Sequence, residues 1–145
     1  MSVPESRGSP AAGNLAGIGL DLLEVGRLER ALERRPRLAR RLFTEGELAH
    51  ARSRHRPGRH LAARFAAKEA AVKALGGGGL APREIEVTGG GREAPQLRLH
   101  GRAAAVAGAR GVELQVSLTH SRELAAAAVL AVPAARHPEQ AHRLR

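Results

Sequence analysis

The segment 64–79, RFAAKEAAVKALGGGG, reads as the greater part of an alanine-rich helix, His60 to Leu75, stopped by four glycines. It holds Lys68 and Lys73, the two lysines of the chain; the other basic side chains, of 24 in all, are arginine. An ammonium is a compact point charge suited to one phosphate oxygen and able to lose its proton when its pKa falls, whereas a guanidinium is a permanently charged fork. Along the helix Glu69 and Lys73 are one turn apart and share a face, and Lys68 points about 100° away. Phe65, four residues before Glu69, packs toward the same side as Glu69. Two readings fit: an ion pair on a solvated surface, worth about a few tenths of a kcal/mol, or an acid and an amine set beside an apolar wall.

A second rare residue lies upstream. Among 14 acidic residues the single aspartate is Asp21, in LAGIGLDLLEVGRLERAL. The run Leu15 to Leu23 is apolar, short and broken by Gly17 and Gly19, which predicts a buried strand. A carboxylate at the end of such a strand needs a partner, a hydrogen bond or a metal; capping the following helix is the commoner use of aspartate. Asp21 and Glu69 come from different elements, and one or two carboxylates are the usual protein share of a magnesium site, with phosphates and waters completing the octahedron. The glycine run 76–79 lacks the Walker spacing and does not open a helix, so a helix stop explains it without a phosphate.

Outward from these residues, 145 positions allow one domain with a core. Phe43 and Phe65 are the only aromatics besides histidine, so the core is built from Leu, Val, Ile and many Ala, and association of copies is plausible. With no cysteine, disulfides, thiolate metal sites and thiol nucleophiles are excluded. No membrane-length apolar stretch and no signal peptide are visible, which makes the cytoplasm the default location. A net charge of +10 predicts an acidic partner. The scarcity of aromatics argues against single-stranded nucleic acid, and no helix-turn-helix or zinc-finger spacing is present. A basic protein bound to a phosphate backbone would also leave Asp21, Lys68, Glu69 and Lys73 unexplained.

Residues 1–14 are expected to be a flexible leader and 133–145 a flexible tail, around a domain at 15–132. Within it a strand at 15–23 precedes a helix at about 24–35 that Pro36 ends, and RLARRLF forms a second helical piece. Thr44 and Glu47 make a capping box that starts a third helix. EIEVTG and QLRLH predict a hairpin, GRAAAVAGARG a short helix, and VELQVSLTH and LAAAAVLAV a closing hairpin joined by SRE. The expected fold is α+β, with a small antiparallel sheet packed against helices.

The ordered set GIGLDLLEVGRLERAL, FTEGELAHARSR, LAARFAAKEAAVKALGGGG, IEV, LRLHGRAA and VSLTHSRELAAA resembles holo-acyl-carrier-protein synthase, the small phosphopantetheinyl transferase, over about Gly17 to Val132. The resemblance implies the phosphopantetheinyl transferase fold and transfer of the 4′-phosphopantetheine arm of coenzyme A to a serine of apo-acyl carrier protein, leaving adenosine 3′,5′-bisphosphate. It implies Asp21 and Glu69 as magnesium ligands, Lys73 near the pyrophosphate, and Lys68 in the same motif with a role toward the cofactor. Glu69 is the first choice of base and Lys73 its rival. Ser117 and His120 in SLTH resemble residues lining the nucleotide site, and Arg64 is a candidate for the 3′-phosphate. Arg27, with Arg30, Arg34 and Arg35 as companions, would meet the acidic carrier protein, of fatty acid or polyketide synthesis. The family is a homotrimer with active sites between subunits. Three positions depart from its pattern: Ala63 for a glycine and Gly77 for a threonine, both expected near the helix start or coenzyme A loop, and Leu124 for an aromatic. His50, His55 and His60 lack metal-ligand spacing.

Overall fold

The computed structural model describes residues 14–135; nearly all of the expected leader and most of the expected tail lie outside the described residues. Strand β1 (Gly17–Glu24) is followed by helices α1 (Val25–Arg34), α2 (Leu38–Leu42), α3 (Glu45–Arg52) and α4 (Pro57–Ala74). A 3-10 turn at Pro82–Glu84 leads to β2 (Ile85–Thr88), β3 (Gln96–Leu99), helix α5 (Gly101–Arg110) and the hairpin of β4 (Val112–His120) and β5 (Leu124–Pro133). Every expected element is present, and the fold is α+β.

The local rules that forecast these elements are visible in their ends. Thr44 Oγ1 accepts the Glu47 amide while Glu47 Oε2 accepts the Thr44 amide at 2.8 Å, the reciprocal capping box that opens α3. Helix α4 starts three residues before the expected His60, because Pro57 occupies its first turn, where a missing N–H costs nothing. It ends at four consecutive glycines, Gly76 to Gly79, all with positive φ, a conformation that stops a helix and that other residues adopt at a cost. Strand β5 runs to Pro133, which pairs with Val112, so the sheet reaches into the segment expected to be tail.

Two antiparallel sheets result, one of order β1-β5-β4 and a separate β2-β3 hairpin. Helix α4 crosses the inner face of the larger sheet. Its Ala66, Ala67, Ala70, Ala71 and Ala74 pack against Ala127, Val129 and Ala131 of β5 and against Ile85 and Val87 of β2. Alanine allows close approach, and β1 meets it with glycine: a side chain at Gly19 would overlap the Ala70 carbonyl, and one at Gly17 the Ala74 carbonyl. A second cluster places Phe43, Leu48 and Leu61 with Val25 and Leu28 at the other end of α4. The low aromatic content is thus compensated by short helix-to-sheet distance.

One expectation is corrected. Strand β1 was expected to be buried, yet only one face is covered. Ile18, Leu20 and Leu22 alternate to the other side and are between 64% and 67% exposed, because α4 lies on the inner face alone and nothing in the described chain covers the outer one.

Candidate active site

The close contact of β1 and α4 brings the rare residues together. Asp21 is in phase with Gly17 and Gly19 on the strand face that α4 covers. Opposite it, Lys73 donates from Nζ to Asp21 Oδ1 at 3.2 Å and to the Leu20 carbonyl oxygen at 2.8 Å. The pair is lopsided: the Asp21 side chain is 19% exposed and that of Lys73 54%. The capping alternative for Asp21 fails, since Glu24 is the N-cap of α1 and makes no side-chain cap bond.

Glu69 lies one turn before Lys73 and is half-buried. Burial, and after it the charge of Asp21, push its carboxyl above the ordinary carboxylate range, while Lys73 pulls the other way. Glu69 and Lys73 are not ion-paired among the described residues; the helix-surface pair is replaced by a strand-to-helix pair. Two carboxylates facing one another want a cation, and their hard oxygens suit magnesium. No group of three or more metal-ligating side chains converges among the described residues, and Asp21 and Glu69 are the carboxylates that could hold such a cation here.

Lys68 is not at this site, and its expected role toward the cofactor is corrected. It is fully buried, with Nζ donating to Glu47 Oε2 at 2.8 Å, to the Ile85 carbonyl at 2.7 Å and to the Pro82 carbonyl at 2.9 Å. Three acceptors use all three ammonium hydrogens, which leaves nothing for a ligand. The partner, Glu47, also accepts the Val87 amide at 2.8 Å. This buried pair ties α3, α4 and β2 together. Sequence reasoning found Glu47 as a cap and missed it as the counter-ion of Lys68; residues 21 apart give no local signal of the contact.

The remaining residues divide between surfaces. Arg64, in the interior of α4, is 3% exposed and donates from Nη2 to the Gly89 carbonyl at 2.8 Å, and its Nε has no partner among the described residues. His120 ends β4 and lies edge-to-face on His60, ring centroids 5.1 Å apart. Ser117 is not beside His120: three positions earlier on the same strand, it faces the opposite way, in register with Ala128, itself opposite Leu20 on the outer face. Arg27, Arg30 and Arg34 are exposed on α1 at a spacing of one helical face, and none is ion-paired among the described residues. Ala63 is 1% exposed inside α4, so this departure touches the core and not the helix start. Gly77 donates to the Val72 carbonyl as part of the helix stop.

A strand aspartate paired with a helix ammonium, and a half-buried glutamate one turn before that ammonium, within an α+β layer of this order, match a known class. The family model for the 4′-phosphopantetheinyl transferase superfamily matches residues 17–129. The holo-[acyl-carrier-protein] synthase of Moorella thermoacetica is 50% identical over 117 residues, spanning 77% of this chain and 90% of its own. That of Halorhodospira halophila is 49% identical over 123 residues, spanning 81% and 98%. The solved holo-(acyl-carrier-protein) synthase of Bacillus anthracis, in complex with CoA (3′,5′-ADP), aligns with a TM-score of 0.69 at 32% identity, over 83% of this chain and 98% of that one. The chain therefore belongs to the 4′-phosphopantetheinyl transferase superfamily, as an enzyme of the holo-[acyl-carrier-protein] synthase type. No helix among the described residues is long and apolar enough to cross a membrane.

Proposed function

We propose that this enzyme transfers the 4′-phosphopantetheine group of coenzyme A to a serine of apo-acyl carrier protein, releasing adenosine 3′,5′-bisphosphate, in a magnesium-dependent reaction in the cytoplasm. The observation that carries the reading is the convergence of Asp21, Glu69 and Lys73 across the β1–α4 contact.

In the transfer, the carrier serine Oγ forms a bond to the phosphorus that stays with pantetheine, and the bond from that phosphorus to the bridging oxygen breaks, leaving the nucleotide with the electron pair. Magnesium held by Asp21 and Glu69 would supply neutralisation of charge on the pyrophosphate oxygens. Lys73 is half-exposed on a flexible stem, so its ammonium can turn from Asp21 to a phosphate oxygen as charge gathers there. The serine proton goes to Glu69, whose raised affinity for a proton favours a general base over a spectator carboxylate. Arg64 and His120 would hold phosphate oxygens of the nucleotide.

Two surfaces complete the reading. Arg27, Arg30 and Arg34 give α1 a positive face for an acidic carrier protein. The outer sheet face, with Ile18, Leu20, Leu22, Leu124 and Leu130 exposed, is the interface of a homotrimer; an apolar patch of this kind marks an association site. Ser117 lies on that same face and would act at a subunit boundary.

The test is intact-protein mass spectrometry of apo-acyl carrier protein incubated with this enzyme, coenzyme A and magnesium, with a chelator control. The expected result is a chelator-sensitive gain of one phosphopantetheine. No gain on any of several carrier proteins, with the enzyme folded, would reject the reading.

A further inference from the structure

Three histidines that the reaction above does not require as a group stand in a row. His50 of α3 and His60 of α4 have ring centroids 6.0 Å apart at 67°, and His60 and His120 are 5.1 Å apart at 70°. Arg54, just after α3, and Arg64 of α4 flank the row. The β2–β3 turn runs beside these arginines: a side chain at Gly91 would press on the guanidinium group of Arg54, and one at Gly90 would touch that of Arg64. A cavity of about 250 Å³ is lined by His50, Arg54, Gly89, Gly91, Arg92 and Glu93.

The charge of this cleft is unbalanced. His50, Arg54 and Arg92 line it with Glu93 as its acid, and Arg64 and the stacked His60 and His120 lie beside His50; Glu47, which also acts on Arg64, is already paired with Lys68. Two buried nitrogens, His50 Nε2 and Arg64 Nε, have no hydrogen-bond partner among the described residues. Arg64 is more than nine-tenths buried, so its orphaned N–H is a standing cost that an anionic acceptor would relieve. Burial first, and then neighbouring cations, hold His50 and His60 below the ordinary imidazole range. An arriving phosphate reverses the sign of the local potential, and a neutral imidazole beside it becomes a proton acceptor.

We propose that the His50–His60 pair takes up a proton as a phosphate group enters the cleft beside Arg64, with His60 as the positioning residue that sets the orientation of His120 and couples co-substrate binding to pH. This rests on the reading that the phosphate belongs to coenzyme A. The sign follows from linkage: if the complex holds more protons than the separated partners, affinity rises as pH falls through the window between the empty and occupied pKa values.

The experiment is calorimetric titration of the full chain with coenzyme A, and separately with inorganic pyrophosphate, at about pH 6, 7 and 8 in buffers of differing ionisation heat. Proton uptake is expected, with Kd for coenzyme A weakening by up to about tenfold per pH unit for one coupled proton. His60→Phe, which keeps a ring against His120, should flatten both the uptake and the pH slope; His60→Gln gives a second variant if the ring replacement disturbs the melt. A pH-independent Kd, or uptake unchanged in the folded variants, would overturn the proposal. Pyrophosphate bound with His60-dependent uptake and coenzyme A not bound would keep the pair and reject the co-substrate reading. Coenzyme A bound without uptake would do the reverse.

Discussion

Lys73 reaches across from α4 to β1, its Nζ 3.2 Å from Asp21 Oδ1 and bound as well to the Leu20 carbonyl. An exposed pair of this kind contributes little to stability, so its meaning lies in where the charge stands. The ammonium sits on a carboxylate that a divalent cation would also claim. Lys73→Ala should therefore tighten binding of magnesium alone by a few fold while lowering the rate of transfer by about a hundredfold or more. Calorimetry without coenzyme A and single-turnover transfer give the two numbers. A loss of both together would mean that Lys73 supports the metal site and does not compete with it.

The same cluster predicts a pH signature. Glu69 has its carboxyl raised by burial and by Asp21, so the folded chain holds that proton more tightly than the unfolded chain. Its contribution to stability is present at low pH and is lost as pH rises through the raised value. A cation bound by the ionised pair restores what is lost. The increase in melting temperature on adding magnesium should thus grow from about pH 5 to about pH 8. Glu69→Gln should remove most of that increase; an equal gain in the variant would place the metal elsewhere.

On α1 the argument concerns rate. Arg27, Arg30 and Arg34 are exposed and unpaired among the described residues, and exposed charges steer encounter more than they hold a complex. Arg27→Ala should raise the KM for carrier protein about twofold to tenfold, leave the KM for coenzyme A unchanged and weaken the salt dependence of kcat/KM. Stopped-flow transfer at two ionic strengths distinguishes this from a solvated face, for which neither quantity moves.

The outer face of the sheet makes its own prediction. Leu20 is 67% exposed, so Leu20→Glu removes no core contact and should leave the melting of an isolated chain within about 0.5 kcal/mol. Sedimentation should show the mass fall from three chains to one, with transfer falling in step. An unchanged mass would send the assembly to another surface.

How far these features were legible depends on their range. The capping box of Thr44 and Glu47, the glycine stop after Leu75, the strand alternation of β2 and β3 and the closing hairpin of β4 and β5 follow local rules, and each is present in the fold. The pairing of Asp21 with an α4 side chain was reachable because both residue types are rare in this chain. The exposure of β1 was not, since an apolar run looks the same whether its outer face meets a helix or another copy. Nor was the burial of Lys68, because the helical period gives its direction but not whether that direction ends in solvent or at Glu47. Position in a motif beside Glu69 pointed to the cofactor; the buried acid 21 residues earlier decides otherwise.

That burial yields a prediction opposite to the one the motif implies. Removing one partner of a buried ion pair strands the other, at a cost of about 3–5 kcal/mol. Lys68→Ala would strand Glu47 and unsatisfy the carbonyls of Pro82 and Ile85, which anchor the start of β2 to α4. Glu47→Gln is milder in shape but costs the charge that holds the ammonium in place, and it weakens the bond to the Val87 amide. In a double-mutant cycle on urea unfolding, Lys68→Met with Glu47→Gln should cost less than the sum of the single losses, because neither charge is left alone. The affinity of the folded fraction for coenzyme A should be unchanged in Lys68→Met. A variant with normal stability and weakened coenzyme A binding would return Lys68 to the cofactor and make the Glu47 contact incidental.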